Sequence, residues 1–592
     1  MKYRHALPVL AVCTVLSLLL AACAKEPGII RGSTEERPQE DIVYETTGEQ
    51  AYAGYTGESL TVSLADNKYG GPQFVAKLFT EGLSRAPQSE EYLHYISQLE
   101  EKGCTQETLT ALAMEFFSAK PFKQAKLDKK QTIFAVYRAV LNRDPTEEEL
   151  AREEDGKDAA ALAETLCGTE EFAALIPAIN KGPYYWGENI LTAYTGGKII
   201  TSDELRAMFE KDIHVKLPQG ALVLMDSMVS IPKGGTLETE GNPTHYTKMA
   251  RLIRKNAGDH HLVFLRDDSS LKNVYVEGNL SSYDIESVLS GSNVVVGGKN
   301  CTVQECRISD SVSHQNLWAF DASEHGYLGS NLITGYASDH SKTWQDGITC
   351  LGADFLIEYN EIVDLTDASI AIFRYVNELG GPEQYYVRAQ NTIVRHNKIL
   401  NMGNSSYAGY DHETGNYIYD KINGPIHPAN MTGLVAYENQ IWTSMRAHIH
   451  MLVTMSTVPW LTEANCDLTV GGSVYNNYTP EGCYALTACG IAVDKAIDVA
   501  VRGNQFRMYL ADWCRAPMKQ RLYAVNESNC EGDFQAGFVN KAMTMPGLAF
   551  IVTLKEGLEL EAAEEIFLEE GIIFEEKQTI PVERFASRTL DE

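Results

Sequence analysis

Residues 355–360 read FLIEYN, and the shape of that stretch, a short apolar strand closed by Asn, returns along the chain. VYVEGN ends at Asn279, YLGSN at Asn331, IVRHN at Asn397, VAYEN at Asn439, VYNN at Asn477 and VRGN at Asn504, while VQECRI puts Cys306 in the same place. Together with Asn360, the successive steps from Asn279 are 27, 25, 29, 37, 42, 38 and 27 residues. A coil of parallel strands needs about 20–30 residues per turn, and longer steps carry loops. Asn accepts the left-handed bend that turns a chain out of a strand, and stacked Asn amides can bond along a coil. A propeller is the competing repeat, but its four-stranded unit of about 40–50 residues recurs at a steadier interval. The chain therefore reads as mainly β, a solenoid of parallel strands over residues 220–535.

Those residues resemble a right-handed parallel β-helix of the pectate-lyase-like superfold. The opening stretch ALVLMDSMVSIPKGGTLETEG is similar to the first rung of exported β-helix enzymes, with Ala250, Leu252 and Ile253 expected on a short helix after it. Residues 536–592 are acidic and are expected to form a C-terminal cap, since a last rung leaves an exposed edge.

The 592 residues carry 50 Lys+Arg against 80 Asp+Glu, a formal net charge of −30. Such an excess repels phosphate backbones, so nucleic acid is excluded as a partner. At the start, Lys2 and Arg4 precede an apolar run to Ala22 that ends L-A-A-C. That is an export signal too short for a comfortable membrane span. Its end resembles the lipobox of bacterial lipoproteins, which implies that residues 1–23 are a signal peptide, that Cys23 is lipidated, and that the mature chain sits in the bacterial cell envelope, outside the cytoplasm. An ordinary signal peptide with a chance Cys is the alternative. Residues 24–67 read as an acidic tether. Export permits disulfides, with Cys483/Cys489 and Cys514/Cys530 as candidate pairs.

Residues 68–175 show apolar spacing of three and four, the mark of amphipathic helix. FVAKLFTEGLSRAPQSEEYL and TIFAVYRAVLNRDPTEEEL both carry L-x-R-x-P, with Leu83, Arg85 and Pro87 matched by Leu141, Arg143 and Pro145 at an offset of 58. Pro stops one helix, and the following Ser/Thr and Glu start the next. The pattern resembles an extracellular bacterial module, domain-of-unknown-function family 4214, which implies no chemistry. Residues 176–219 read as a linker, and helical module and coil are each expected to fold alone.

The stretch WQDGITCLGADFLIEYNEIVDLTDASIAIFR holds the first candidate site. Asp346 and Asp367 are expected at equivalent places on adjacent rungs, about 5 Å apart on an outer face. Such a pair suits a shared Ca²⁺, or an acid and a nucleophile for glycoside cleavage. The pattern is similar to the polygalacturonase family, where an Asp-Gly-Ile strand precedes an Asp-Asp pair; that resemblance implies catalytic roles for Asp346 and Asp367. The chain departs from it: Ala368 stands for the second Asp of the pair, and neither Gly-His-Gly nor Arg-Ile-Lys follows. Arg374 closes the same segment as a catalytic or pairing cation. In SMRAHIHMLVTM, alternation puts Arg446, His448 and His450 on one outward face, where Arg grips a carboxylate and a neutral His serves as base. The loop 401–432 brings Tyr407, Tyr410 and His412, and Trp344 lies just before Asp346, a set of rings suited to sugar faces.

Two functions stay open. One is a surface-anchored polysaccharide lyase or glycoside hydrolase. The other is a non-catalytic glycan-binding or adhesion protein with the helical repeat as its docking module.

Overall fold

The computed structural model describes residues 67–154, 156–187, 189, 197–283, 289–338, 345–372 and 389–404, and then the segments 410–411, 416–417, 426–428, 431–447, 449–455, 469–493, 496–506, 508–509, 535–540, 550–552, 554–555 and 584–585. Eight helices come first among the described residues: α1 (Pro72–Gly82), α2 (Ser89–Lys102), α3 (Gln106–Ser118), α4 (Lys120–Gln124), α5 (Lys129–Val140), α6 (Glu147–Glu154), α7 (Ala159–Cys167) and α8 (Glu170–Lys181). Side chains of Thr105, Asp128, Asp158 and Thr169 cap α3, α5, α7 and α8 by accepting a backbone N–H of the first turn.

The repeated L-x-R-x-P is one device built twice. Helix α1 ends on left-handed Ser84 (φ 57°) and α5 on left-handed Asn142 (φ 58°). The following Arg then forks onto the Glu six residues on: Arg85 onto Glu91 at 2.7 and 2.7 Å, Arg143 onto Glu149 at 2.7 and 2.8 Å. The same carboxylates accept the N–H of Gln88 and of Thr146, which starts the next helix. A bidentate pair of this kind fixes the angle between two helices as well as holding them.

Beyond the helices the chain winds as a right-handed parallel β-helix, the hand that parallel crossovers take. Its strands form three sheets: A with nine, B with eleven and C with twelve, paired in parallel throughout. One turn runs Ser270–Lys272 in sheet C, Val274–Glu277 in A, Val294–Val296 in B and Thr302–Gln304 in C again. Inward-facing Val, Ile and Leu of the three sheets fill one continuous core. The coil starts earlier than expected, at Ile199–Thr201, inside the stretch read as linker. There α9 (Ser202–Lys211) closes the first rung with Leu205 and Phe209. Ala250, Leu252 and Ile253 lie on a strand of sheet A, not on a helix; only Tyr246–Lys248 forms a short 3-10 turn. At the other end, strand Gln535–Asn540 carries sheet C past residue 535.

A single left-handed residue turns sheet C into sheet A on successive rungs: Glu305, Ser330, Tyr359, His396, Glu438 and Asn476, all at φ 53–57°. The ladder Asn comes next and points inward. The backbone N–H and the amide of Asn331 both donate to Oδ1 of Asn360, at 3.1 and 3.0 Å. Asn360 does the same to Asn397, Asn397 to Asn439, Asn439 to Asn477 and Asn477 to Asn504. Cys306 joins at the head of the ladder through its N–H. Asn279 does not belong to it. It is a left-handed residue (φ 57°) at the turn after sheet A.

The helices lie on the outer face of sheet A. Tyr246, Tyr275, Tyr336, Leu400 and Trp442 of the coil share one core with Phe74, Phe79, Phe134 and Tyr137 of the helices. Buried ions cross the same boundary: Arg251 reaches Asp144 at 2.8 Å, and Arg307 reaches Glu81. Two parts read from sequence as separately folding units are therefore joined by a common interior. Removing one partner of a buried pair costs about 3–5 kcal/mol.

Candidate functional site

Strand Asp346–Cys350 alternates in the usual way. Ile348 and Cys350 enter the core, and Thr349 faces outward from sheet B. Register lines up an outer column along the coil axis: Phe264, Val295, Trp318, Thr349 and Ala371. Adjacent members stand about 4.8 Å apart. Phe320 and His261 join them. Trp318 and Phe320 meet edge to face at 4.4 Å, Phe264 and Phe320 at 5.8 Å, and His261 lies 6.0 Å from Trp318. Arg266 stacks over Phe264 at 4.6 Å. This aromatic face escaped the sequence reading. Its signal is one ring set between two core residues of a strand, as in VFL (263–265) and LWA (317–319), and it becomes a surface only once the register is known.

The two carboxylates stand to one side of this column, Asp346 three residues before Thr349 on the same strand and level with Gln315. The register between their strands runs Ile348↔Ile370, an offset of 22, one more than the 21 expected. Ala368, not Asp367, therefore lies level with Asp346, and Asp367 sits one residue earlier, its N–H donating to the Gln345 carbonyl at 3.2 Å. The expected in-line stack of two equivalent Asp side chains is replaced by a meeting across the turn into sheet B. Oδ1 of Asp346 accepts the Ala368 N–H at 3.1 Å, and Oδ2 accepts the Thr349 hydroxyl at 2.8 Å. Both Asp346 and Asp367 are only 8% exposed. Burial, and next the charge of Asp367, raise the Asp346 carboxyl well above its usual range. Two carboxyl groups whose proton affinities are pushed apart are the arrangement that acid–base chemistry on a glycoside uses.

A Ca²⁺ ion fits this set poorly. It takes six to eight oxygens. Two carboxylates are here, and both oxygens of Asp346 already accept hydrogen bonds. No group of three or more His, Cys, Asp or Glu side chains placed to hold a metal occurs among the described residues.

Of the other candidates, the side chain of Arg446 alone is described. Arg446 is not on an outward strand face: it precedes strand Ile449–Met455 and is 1% exposed. A Cβ on Gly182, at the end of α8, would stand 3.2 Å from Arg446 Cβ, which puts Arg446 at the boundary with the helices and out of reach of substrate. His450 lies within strand Ile449–Met455, and Tyr410 pairs with Tyr417 in a two-stranded antiparallel ladder; their side chains lie outside the description. Arg374, His448, Tyr407, His412, Trp344 and Cys23 lie outside the described residues. Cys483 is buried, and the side chain of Cys489 lies outside the description, as do Cys514 and Cys530.

No family model and no curated protein matches the chain. Among solved structures it is similar to the Dettilon tailspike protein, at 12% identity over 53% of this chain and 68% of that one, TM-score 0.30. It is also similar to the endo-xylogalacturonan hydrolase of Aspergillus tubingensis, at 9% identity over 60% and 95%, TM-score 0.31. The Streptococcus pneumoniae surface protein and adhesin PfbA follows at 11% identity over 57% and 94%, TM-score 0.27. Likenesses this distant say nothing of chemistry, and the fold stands on the strand pairing described above.

Proposed function

We propose that the protein is a lipid-anchored polysaccharide hydrolase of the bacterial cell envelope. The observation that carries this reading is the meeting of Asp346, its proton affinity raised by burial and by its neighbour, with Asp367 on the sheet that also carries the outward aromatic column. Sugar rings stack their C–H faces on Trp318 and Phe320. Asp346 gives its proton to the leaving oxygen, and Asp367 acts on the opposite side as base or nucleophile. Hydrolysis is preferred to lysis because it needs only two carboxylates, whereas elimination needs a cation against a uronate. The L-A-A-C signal supports attachment through Cys23, with residues 24–67 as tether.

One observation favours a second reading, a glycan-binding surface without turnover. Both oxygens of Asp346 are engaged by Thr349 and by the Ala368 N–H, as in a carboxylate that staples two rungs together. A panel of neutral and acidic polysaccharides separates the two. New reducing ends without an unsaturated, ultraviolet-absorbing product support hydrolysis. Binding without either product supports the second reading.

A further inference from the structure

Helices α1 and α5 press charged side chains into the outer face of sheet A. Arg138 of α5 bonds Glu81 of α1 at 3.1 Å and Asp144 at 2.7 Å. Arg251 of the coil bonds Asp144 at 2.8 Å and Glu277 at 2.6 Å, and Arg307 bonds Glu81. Every one of these side chains is buried. Three guanidinium groups thus meet three carboxylates, and the cluster is balanced before its last member is counted.

That member is Asp310, fully buried just past strand Arg307–Ser309. Its Oδ1 accepts a long bond from the Ala337 N–H at 3.4 Å, and its Oδ2 has no hydrogen-bond partner among the described residues. The charged groups facing it come from every side: Glu277 from the preceding strand of sheet A, Arg307 from its own, Glu81 and Lys77 from α1, and Arg138 from α5. Burial drives the Lys77 ammonium well below its usual value, so it is a weak source of counter-charge. Its nitrogen donates to Asn142 and to the Tyr184 carbonyl, and three rings surround it.

We infer that Asp310 is a proton-operated latch between the helical module and the coil. Protonated, it leaves the cluster balanced and the helices docked. Ionised, it adds a fourth negative charge with no fourth guanidinium to meet it, and the docking weakens. Burial and then Glu277 raise this carboxyl from its ordinary 3.8 to about 7. A group raised on folding gives stability that is fully present below its unfolded value and is lost as pH rises through the folded one. The latch therefore loosens as pH rises from about 5 to 7 and is fully released above about 7. His245, in the same boundary, is pushed down to about 4 by burial and stays neutral across that window.

Hydrogen exchange of the full chain, corrected for intrinsic rates, reads the latch directly. Opening of α1 and α5 should rise between about pH 5 and 7, by up to about tenfold per unit, and level off above about 7, while α9, at the end of the coil, serves as the unchanged reference. In Asp310→Asn the rise should vanish. A second variant, Glu277→Gln, removes the neighbouring charge and should move the midpoint to lower pH; it decides the matter if the first does not fold. A flat wild-type profile, a slope retained in Asp310→Asn, or an unmoved midpoint in Glu277→Gln would each overturn the latch.

Discussion

Replacing Asn397 by alanine should destabilise the coil by roughly 3–5 kcal/mol. The figure follows from the bonds the side chain makes. Oδ1 accepts the Asn360 N–H and the Asn360 amide, each at 3.0 Å. Nδ2 donates to the Ile357 carbonyl at 3.0 Å and to Asn439 Oδ1 at 2.9 Å. All of these atoms are out of water, since Asn360, Asn397 and Asn439 are 0% exposed. Truncation leaves the Asn360 N–H with no acceptor and deprives four other groups of one partner each, the Arg395 carbonyl among them. An orphaned buried polar group costs about 1–3 kcal/mol, and partly satisfied neighbours add less. Urea unfolding of the full chain measures it, with Asn300→Ala as control. Asn300 is exposed and left-handed (φ 55°), and its side chain makes one bond, to Asp268, so its loss should cost only about 1–2 kcal/mol, chiefly from placing Ala in that conformation. Equal midpoints for the two variants would refute the claim that the ladder holds the turns.

A chain beginning at Ile213 should aggregate or fail to fold, because it lacks the α9 cap, exposes Tyr246, Tyr275 and Trp442, and takes Asp144 from Arg251 and Glu81 from Arg307. Size-exclusion chromatography with circular dichroism checks this. Cys23→Ser should shift the exported protein from the membrane to the soluble fraction, read by fractionation. Asp346, raised by burial and by Asp367, gives stability that is present at acid pH and lost as pH rises through its folded value. Asp346→Asn should therefore flatten the fall in melting temperature as pH rises above the ordinary carboxylate range, as a pH series of thermal melts would record.

The coil was legible because its ladder is written as one repeated residue type. The detail of the turn was not. The left-handed conformation was expected of Asn, yet it falls on the residue before, even on Tyr359 and Glu438, because the Asn side chain is needed inside the stack. The same confusion drew Asn279 into the series; it is left-handed but bonds outside the ladder. The helical repeat was legible, and the structure adds why its Arg recurs, as a fork onto Glu91 and Glu149. The boundary between the two parts was hidden, since Glu81, Arg138, Arg251 and Arg307 are spread over more than 220 residues with no local pattern to join them. At the site, Asp346 and Asp367 were found as a pair, but a single residue of register decided how they meet. The aromatic column was missed because each strand contributes only one ring.

The most direct test of the central claim compares turnover with binding in Asp346→Asn, on whichever polysaccharide the wild type degrades. A neutral acid acting on the leaving oxygen contributes about 10²–10⁴-fold to rate. The account predicts a loss of that size in reducing-end release, with glycan affinity kept because Trp318 and Phe320 are untouched and the fold intact by circular dichroism. Full turnover in the folded variant would contradict it and leave Asp346 as a staple between rungs.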